Sequence, residues 1–505
     1  MNLNLNESLK QSAARFPSRI AYTFLNQNIT YAELDHMVDC AAFGLSAAGI
    51  RKGDKVALLL GNCPEFVVAY YGILRAGAAV VPINPAYTAG EISYILLNSQ
   101  AKAVIAHSSL ESTLSSLRAQ LEQLKVAIYT DSIKSEWTWE RLLQKADGIF
   151  EDIHLHEEDL AVILYTSGTT GKPKGAMLSH RNLASNAASL SRLTEMTEED
   201  RIIAVLPMFH VFCMTICIIM PIACGATIVI VPKFSPAEVI NTIRKEKATL
   251  FAGVPTMFSF MFQLPGATAE DVSSIRACFS GGASIPVELL HRFEEKYNVH
   301  ILEGFGLSET APVTAFNPLR GIRKPGSVGV DIPEVKNKVV DLNGREVPRG
   351  EIGELIVQGP NVMMGYLGMP EATASALKNG WFYTGDLARM DEEGYIYIVD
   401  RKKDMILVGG YNVYPREVEE VLYQHPAIVE VAVIGVPDKE YGEIVKAFVV
   451  SNDACITKDD LLHFCQDKLT KYKLPKQVEF LNELPKNSTG KILRRALRVE
   501  EVEVN

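Results

Sequence analysis

The stretch Tyr165-Thr166-Ser167-Gly168-Thr169-Thr170-Gly171-Lys172-Pro173-Lys174-Gly175 crowds hydroxyls, three glycines and two lysines into eleven residues. The apolar run Ala161-Val162-Ile163-Leu164 feeds it, so the loop is expected at the end of a strand. Glycine lets backbone N–H groups approach an anion closely, hydroxyls add donors, and lysines supply countercharge. Together these features predict a cradle for a polyphosphate. It is not a GxxxxGK[ST] loop. Pro173 follows Lys172, and Thr166 stands five positions before Gly171 where that motif needs glycine. The fold built around that motif is therefore disfavoured.

Outward from the loop, short apolar runs alternate with helical patterns. Lys55 to Leu60 reads as a strand, Phe66 to Arg75 as a helix and Gly77 to Pro82 as the next strand. The same grammar returns as a helix over Ile216 to Ala223 and a strand over Gly225 to Ile230. Helices crossing between strands imply mainly parallel sheets. We expect two similar α/β lobes. After Pro325, glycines at 344, 350, 353, 359 and 365 punctuate short strands such as Glu354-Leu355-Ile356-Val357, which predicts a small β-rich subdomain over about 321–400. Beyond Asp400 the pattern gives helices over Pro415 to Gln424 and Thr457 to Leu469, and strands over Val429 to Val436 and Lys446 to Val450. The expected division is a large domain, 1–400, and a small α+β domain, 401–505. The polar stretch Asp400-Arg401-Lys402-Lys403-Asp404 would form the hinge.

A chain of 505 residues with 48% hydrophobic composition is too long for one core. Its 60 acidic and 50 basic side chains leave a formal charge of −10, which excludes an electrostatic nucleic-acid binder. Eight scattered cysteines form no CxxC pair, and no His stands at zinc-like spacing from them. Free thiols and a start without a basic, apolar leader predict a cytoplasmic protein. Val211 to Pro232 carries no charge, but Pro221 and Gly225 interrupt it and its second half is β-branched. A buried helix followed by a buried strand fits better than a membrane span, leaving at most peripheral membrane contact.

The phosphate loop closely resembles that of the adenylate-forming enzymes: acyl-CoA synthetases, luciferases and the adenylation domains of peptide synthetases. Further motifs in the same order extend the resemblance over nearly the whole chain. It implies that Thr166, Ser167, Gly168, Thr169, Thr170, Gly171, Lys172 and Lys174 bind ATP. Gly304-Phe305-Gly306-Leu307-Ser308-Glu309-Thr310 is similar to a second signature, in which Phe305 lies near adenine, Ser308 faces the phosphates and Glu309 holds Mg2+ together with Thr166. A hard cation bridging phosphates suits carboxylate oxygen, although Glu309 alone is merely an acid in a loop. Gly282 and Ala283, in Ser280-Gly281-Gly282-Ala283, resemble the loop for adenine and the acyl carboxylate. Asp386, in Tyr383-Thr384-Gly385-Asp386-Leu387, and Arg401 match the pair that holds the ribose. His210 matches a histidine bordering the acyl carbonyl; a satisfied core histidine is the alternative. Lys491, in Asn487-Ser488-Thr489-Gly490-Lys491, matches the lysine that bridges carboxylate and α-phosphate. Lys403 matches the pivot, and Gly409, Gly410 and Tyr411 the loop that meets the pantetheine arm of CoA. Some relatives carry a lysine just before that loop; Leu407 and Val408 stand here instead, so its role does not transfer.

The resemblance thus implies an AMP-forming acid–thiol ligase using ATP, Mg2+ and coenzyme A. Amino-acid-activating relatives place an aspartate after the histidine position. Here Val211, Phe212, Cys213 and Met214 follow, and a buried ammonium without a partner would be costly. The run from Arg401 to Pro415 looks most like bacterial fatty acyl-CoA synthetases, so the expected acid is a medium- to long-chain fatty acid. A carrier-loading adenylation enzyme and an aryl-acid CoA ligase stay open.

Overall fold

The computed structural model describes residues 4–131, 137–144, 150, 153–166, 173–487 and 490–498. Its first lobe is an eight-stranded sheet. Lys55–Leu59 lies at its centre, parallel to Ala79–Pro82 on one side and Ala103–Ala106 on the other. The second lobe is a nine-stranded sheet with parallel strands Arg201–Ala204, Thr227–Ile230, Leu250–Gly253, Ala277–Ser280 and Ile301–Gly306. The expected α/β lobes with mainly parallel sheets are what the chain forms. In both, a helix gives way to a strand through a left-handed glycine, Gly77 and Gly225, each with φ of 77°. That backbone suits glycine, and a methyl on Gly225 would also meet the Phe16 ring at 2.3 Å. Capping boxes at Thr30/Glu33 and Ser179/Asn182 start two of the core helices.

The uncharged run is a helix from Val211 to Cys224, with a π-helical stretch over Met214–Ile219, followed by the buried strand Thr227–Ile230. Among the described residues no helix is long and apolar enough to cross a membrane. All eight cysteines are free thiols.

The expected β-rich subdomain is an antiparallel sheet of Lys336–Val340, Gly353–Gln358, Trp381–Met390, Leu377–Lys378 and Ile396–Arg401. It is not continuous in sequence. Gly365–Tyr366 leaves it to pair with Met177 and Ala176 at the edge of the first lobe. Val330–Asp331 likewise joins the second lobe's sheet. After Arg401 a further five-stranded sheet forms around Gly442–Ser451, with its own core of Val418, Leu422, Val433, Val449 and Leu461. The connecting stretch is less solvated than its composition suggests. Asp400 and Asp404 are 5% and 6% exposed and ion-paired to Arg494 and Arg498.

Candidate active site

The strand Leu160–Thr166 runs antiparallel to Lys174–Ser179, and Thr166 pairs directly with Lys174. The phosphate loop is therefore a connection between two paired strands, unlike the strand-to-helix GxxxxGK[ST] arrangement. Ser167, Gly168, Thr169, Thr170, Gly171 and Lys172 lie outside the described residues. The Tyr94 hydroxyl donates to the Pro173 carbonyl at 3.0 Å, anchoring the loop's end, and the Tyr165 hydroxyl bonds Asn98 at 2.6 Å.

In the second lobe the candidate groups gather at the carboxyl ends of the parallel strands, where open α/β sheets bind ligands. A methyl on Gly281 would stand 3.4 Å from the Phe212 ring and 3.6 Å from the Gly304 carbonyl; one on Gly282 would stand 3.4 Å from Val254. Gly282 and Ala283 are exposed there. Gly304 and Gly306 are glycine for a further reason. Cβ atoms there would meet the Phe316 ring at 2.5 Å and the Pro312 carbonyl at 2.2 Å, because the strand Val313–Phe316 packs directly alongside. Phe305 is half-buried against a small apolar cluster that includes Ala315 and Val328.

Lys491 reaches this place from the far end of the chain. Its loop is closed by Lys491 N–H to Asn487 Oδ1 and Asn487 N–H to the Lys491 carbonyl, both 2.9 Å. The Thr256 hydroxyl approaches the Gly490 carbonyl at 3.5 Å, and a methyl on Gly490 would lie 3.2 Å from Val254. Burial first, and then the Arg401 cation, push the Lys491 ammonium down to about 8, with Asp386 opposing. His210 caps the helix that follows it. Its Nδ1 accepts from Phe212 N–H at 3.3 Å, so the ring proton resides on Nε2. Desolvation, then the nearby Lys491 cation, hold this imidazole down to about 4, so it is neutral at pH 7.

Asp386 and Arg401 face each other across paired strands, Nε to Oδ1 3.7 Å. Burial raises the Asp386 carboxyl to about 6, while Arg401 and Lys491 pull it back. Glu309 lies on the turn Ser308–Thr310, where its field also reaches Asp386. One of its oxygens accepts from the Tyr366 hydroxyl at 2.9 Å. A carboxylate with no ion-pair partner among the described residues, bonded only by a phenol hydroxyl, offers oxygen donors alone. Such a set fits Mg2+ held largely by substrate phosphate.

The structure thus links Lys491 electrostatically to His210, Arg401 and Asp386, and Asp386 in turn to Glu309. Gly409, Gly410 and Tyr411 stand elsewhere. They form the exposed tip of a hairpin, with φ of 56° and 86° at the two glycines, and touch Tyr441 and Tyr472. Lys403 is exposed in the turn closed by Asp404 N–H to the Arg401 carbonyl.

Sequence reasoning missed several supports. Asn62, from the first lobe, donates to the Leu206 and Val231 carbonyls and accepts from Met208 N–H at 2.9 Å, fastening the loop that carries His210. Tyr366 and Arg494 were also missed. No local motif announces any of them.

A family model described as AMP-binding enzyme matches residues 9–367, and one described as AMP-binding enzyme C-terminal domain matches residues 417–491. The chain belongs to the AMP-binding enzyme family. More narrowly, it is an AMP-forming acid–thiol ligase. A relative from Bacillus subtilis named long-chain-fatty-acid–CoA ligase is 40% identical, over 99% of this chain and 95% of that protein. A feruloyl-CoA synthase from an Amycolatopsis species is 38% identical over 93% of each chain. The ATP-bound crystal structure of MatB from Rhodopseudomonas palustris is 35% identical and superposes over 100% of both chains with a TM-score of 0.94; the apo form of that protein gives 0.83.

Proposed function

We propose that the enzyme activates a medium- to long-chain fatty acid as its acyl-adenylate and transfers the acyl group to coenzyme A, releasing pyrophosphate and AMP. The observation that carries the reading is the linkage of Lys491 to His210, Arg401 and Asp386, with Asp386 and Arg401 3.7 Å apart and Glu309 facing Asp386. A carboxylate oxygen attacks the α-phosphorus of ATP, and the bond to the β-phosphate oxygen breaks. Like charges repel in that approach. The Lys491 ammonium lies between them and offsets the charge that builds up. His210 Nε2–H donates to the acyl oxygen and carries no proton through the cycle. Asp386 accepts from the ribose hydroxyls, with Arg401 beside it. Glu309 and Thr166 would hold Mg2+, which when bound supplies countercharge to the departing pyrophosphate. The CoA thiolate then attacks the acyl carbon and AMP leaves. For that second step the 401–505 unit turns about Lys403, withdraws Lys491 and presents Gly409, Gly410 and Tyr411. The similarity to the ATP-bound rather than the apo MatB structure supports a first-step arrangement here.

The fatty acid reading draws on the apolar wall beside His210, where Val211, Cys213, Met214, Ile216 and Cys217 are all buried and uncharged. An aryl acid is the second reading, favoured by the Phe212 ring over Gly281 and by the feruloyl-CoA synthase relative. Incubation with ATP, Mg2+ and CoA against acids from acetate to palmitate, plus ferulate and amino acids, tests both by mass spectrometry of AMP and acyl-CoA. A chain-length optimum among the alkyl acids is expected. A preference for ferulate would replace that reading, and AMP without acyl-CoA would redirect the acceptor to a carrier protein.

The electrostatics predict a bell-shaped pH profile. Lys491 acts as a cation, so adenylation should fall as pH rises through about 8. Asp386 acts as an anion, so it should fall as pH drops through about 6. Both limbs belong in kcat/KM, which reports the free enzyme. In kcat the alkaline limb should move up, because bound polyphosphate favours the ammonium. Lys491→Arg should abolish the alkaline limb; its persistence in that variant would assign it to another group.

A further inference from the structure

We propose that Tyr366 is a positioning residue that couples the metal-holding carboxylate of Glu309 to the lysine-bearing end of the phosphate loop. The inference rests on the reading of Glu309 given above. Two contacts converge on this side chain and a third fixes its backbone. Its hydroxyl donates to Glu309 Oε1 at 2.9 Å. The Lys174 ammonium stands 5.1 Å from its ring centroid, over the face, in a cation–π contact. Its own N–H donates to Thr373 Oγ1 at 2.9 Å.

The backbone around it is fastened to the same two motifs. Met363 N–H donates to the Glu309 carbonyl and Leu367 N–H to the Gly175 carbonyl, both at 2.8 Å. Gly365–Tyr366 pairs with Met177 and Ala176, on the strand that begins at Lys174. The detour of this segment out of the β-rich sheet therefore sets a nearly buried phenol between the two signatures.

A carboxylate that must meet a cation needs a fixed orientation, because either oxygen and several rotamers would otherwise compete. A hydroxyl that donates to one oxygen leaves the other free for the ion and keeps the anionic charge in place. The ring meanwhile holds the Lys174 cation back from pairing with that carboxylate. Direct pairing would neutralise both groups before the nucleotide arrived.

The test is equilibrium binding of α,β-methylene-ATP by calorimetry, with and without MgCl2, which needs no turnover. In the wild type, magnesium should tighten binding. Tyr366→Phe, which keeps the ring and removes the hydroxyl, should cut that magnesium-dependent gain by about 10–100-fold and leave binding in EDTA nearly unchanged. In a Glu309→Gln background the same substitution should do nothing more.

A wild-type magnesium gain in Tyr366→Phe would overturn the proposal. So would a full additional loss in the double variant, which would mark Tyr366 as merely structural. If the wild type showed no magnesium gain at all, the assignment of Glu309 itself would fall, and the coupling with it. Should Tyr366→Phe not fold, Thr373→Val loosens the Tyr366 backbone without touching Glu309 or Lys174. It should weaken the magnesium gain in the same direction, and an unchanged gain there would overturn the proposal.

Discussion

Lys491→Ala is expected to slow acyl-adenylate formation on the order of 10²–10³-fold, the scale of losing one preorganised transition-state donor. The same variant should use a supplied acyl-adenylate and CoA at close to the wild-type rate. The asymmetry follows from the two charge problems. In the first step an anion attacks a polyanion, and Lys491 is a cation held near His210, Asp386 and Arg401. In the second, a thiolate attacks a neutral carbonyl carbon, and no polyphosphate is the group under attack. Pyrophosphate release and thioester formation, followed separately by rapid quench, distinguish the steps. Equal loss in both would sink the alternation of the 401–505 unit. Lys403→Pro gives the mirror image. Position 403 is the third residue of the turn closed by Asp404 N–H, where proline forces its predecessor out of the turn conformation. It should depress CoA-dependent turnover more than pyrophosphate release, and normal turnover would remove Lys403 as the pivot.

Much of the fold was legible locally, because its elements are short runs with their own pattern. Strand grammar, glycine punctuation and the uncharged Val211 to Pro232 run all carry information within a window of a few residues. What stayed hidden is what long separation assembles. Tyr366 finds Glu309 across 57 positions, and Asn62 finds Leu206 across 144. An isolated tyrosine or asparagine bears no mark of its partner. The glycines show a subtler gap. Gly304 and Gly306 stand in a signature that resembles a nucleotide-binding one, yet a neighbouring strand already forbids Cβ at both places. Glycine there is required by packing whatever the ligand does. The stretch from Asp400 to Asp404 hides a packing fact of another kind. It is polar throughout, but two of its charges are buried because arginines ninety-four residues later come back to meet them.

That return makes Arg494 the most exacting position outside the chemistry. Its guanidinium donates to both oxygens of Glu419 at 2.7 Å and to Asp400 at 3.3 Å, and three surrounding acids hold its pKa above the usual arginine value. Asp400 lies on the strand Ile396–Arg401, Glu419 on the helix Pro415–Tyr423, and Arg494 stands three residues after Lys491. One side chain therefore joins that strand, that helix and the segment that carries Lys491. Arg494→Met keeps much of the apolar stem and removes the charge. It leaves Asp400 and Glu419 buried without their counterion, which costs about 3–5 kcal/mol when one partner of a buried pair is lost. The urea midpoint of the transition that includes residues 401–505 should fall accordingly. Adenylation should fall too, because the Lys491 loop loses its downstream anchor. Sign separates this from simple loss of packing. Adding Glu419→Gln to Arg494→Met removes one stranded charge and should recover part of the stability. A double variant less stable than Arg494→Met would show that the network stabilises through shape and not through charge compensation.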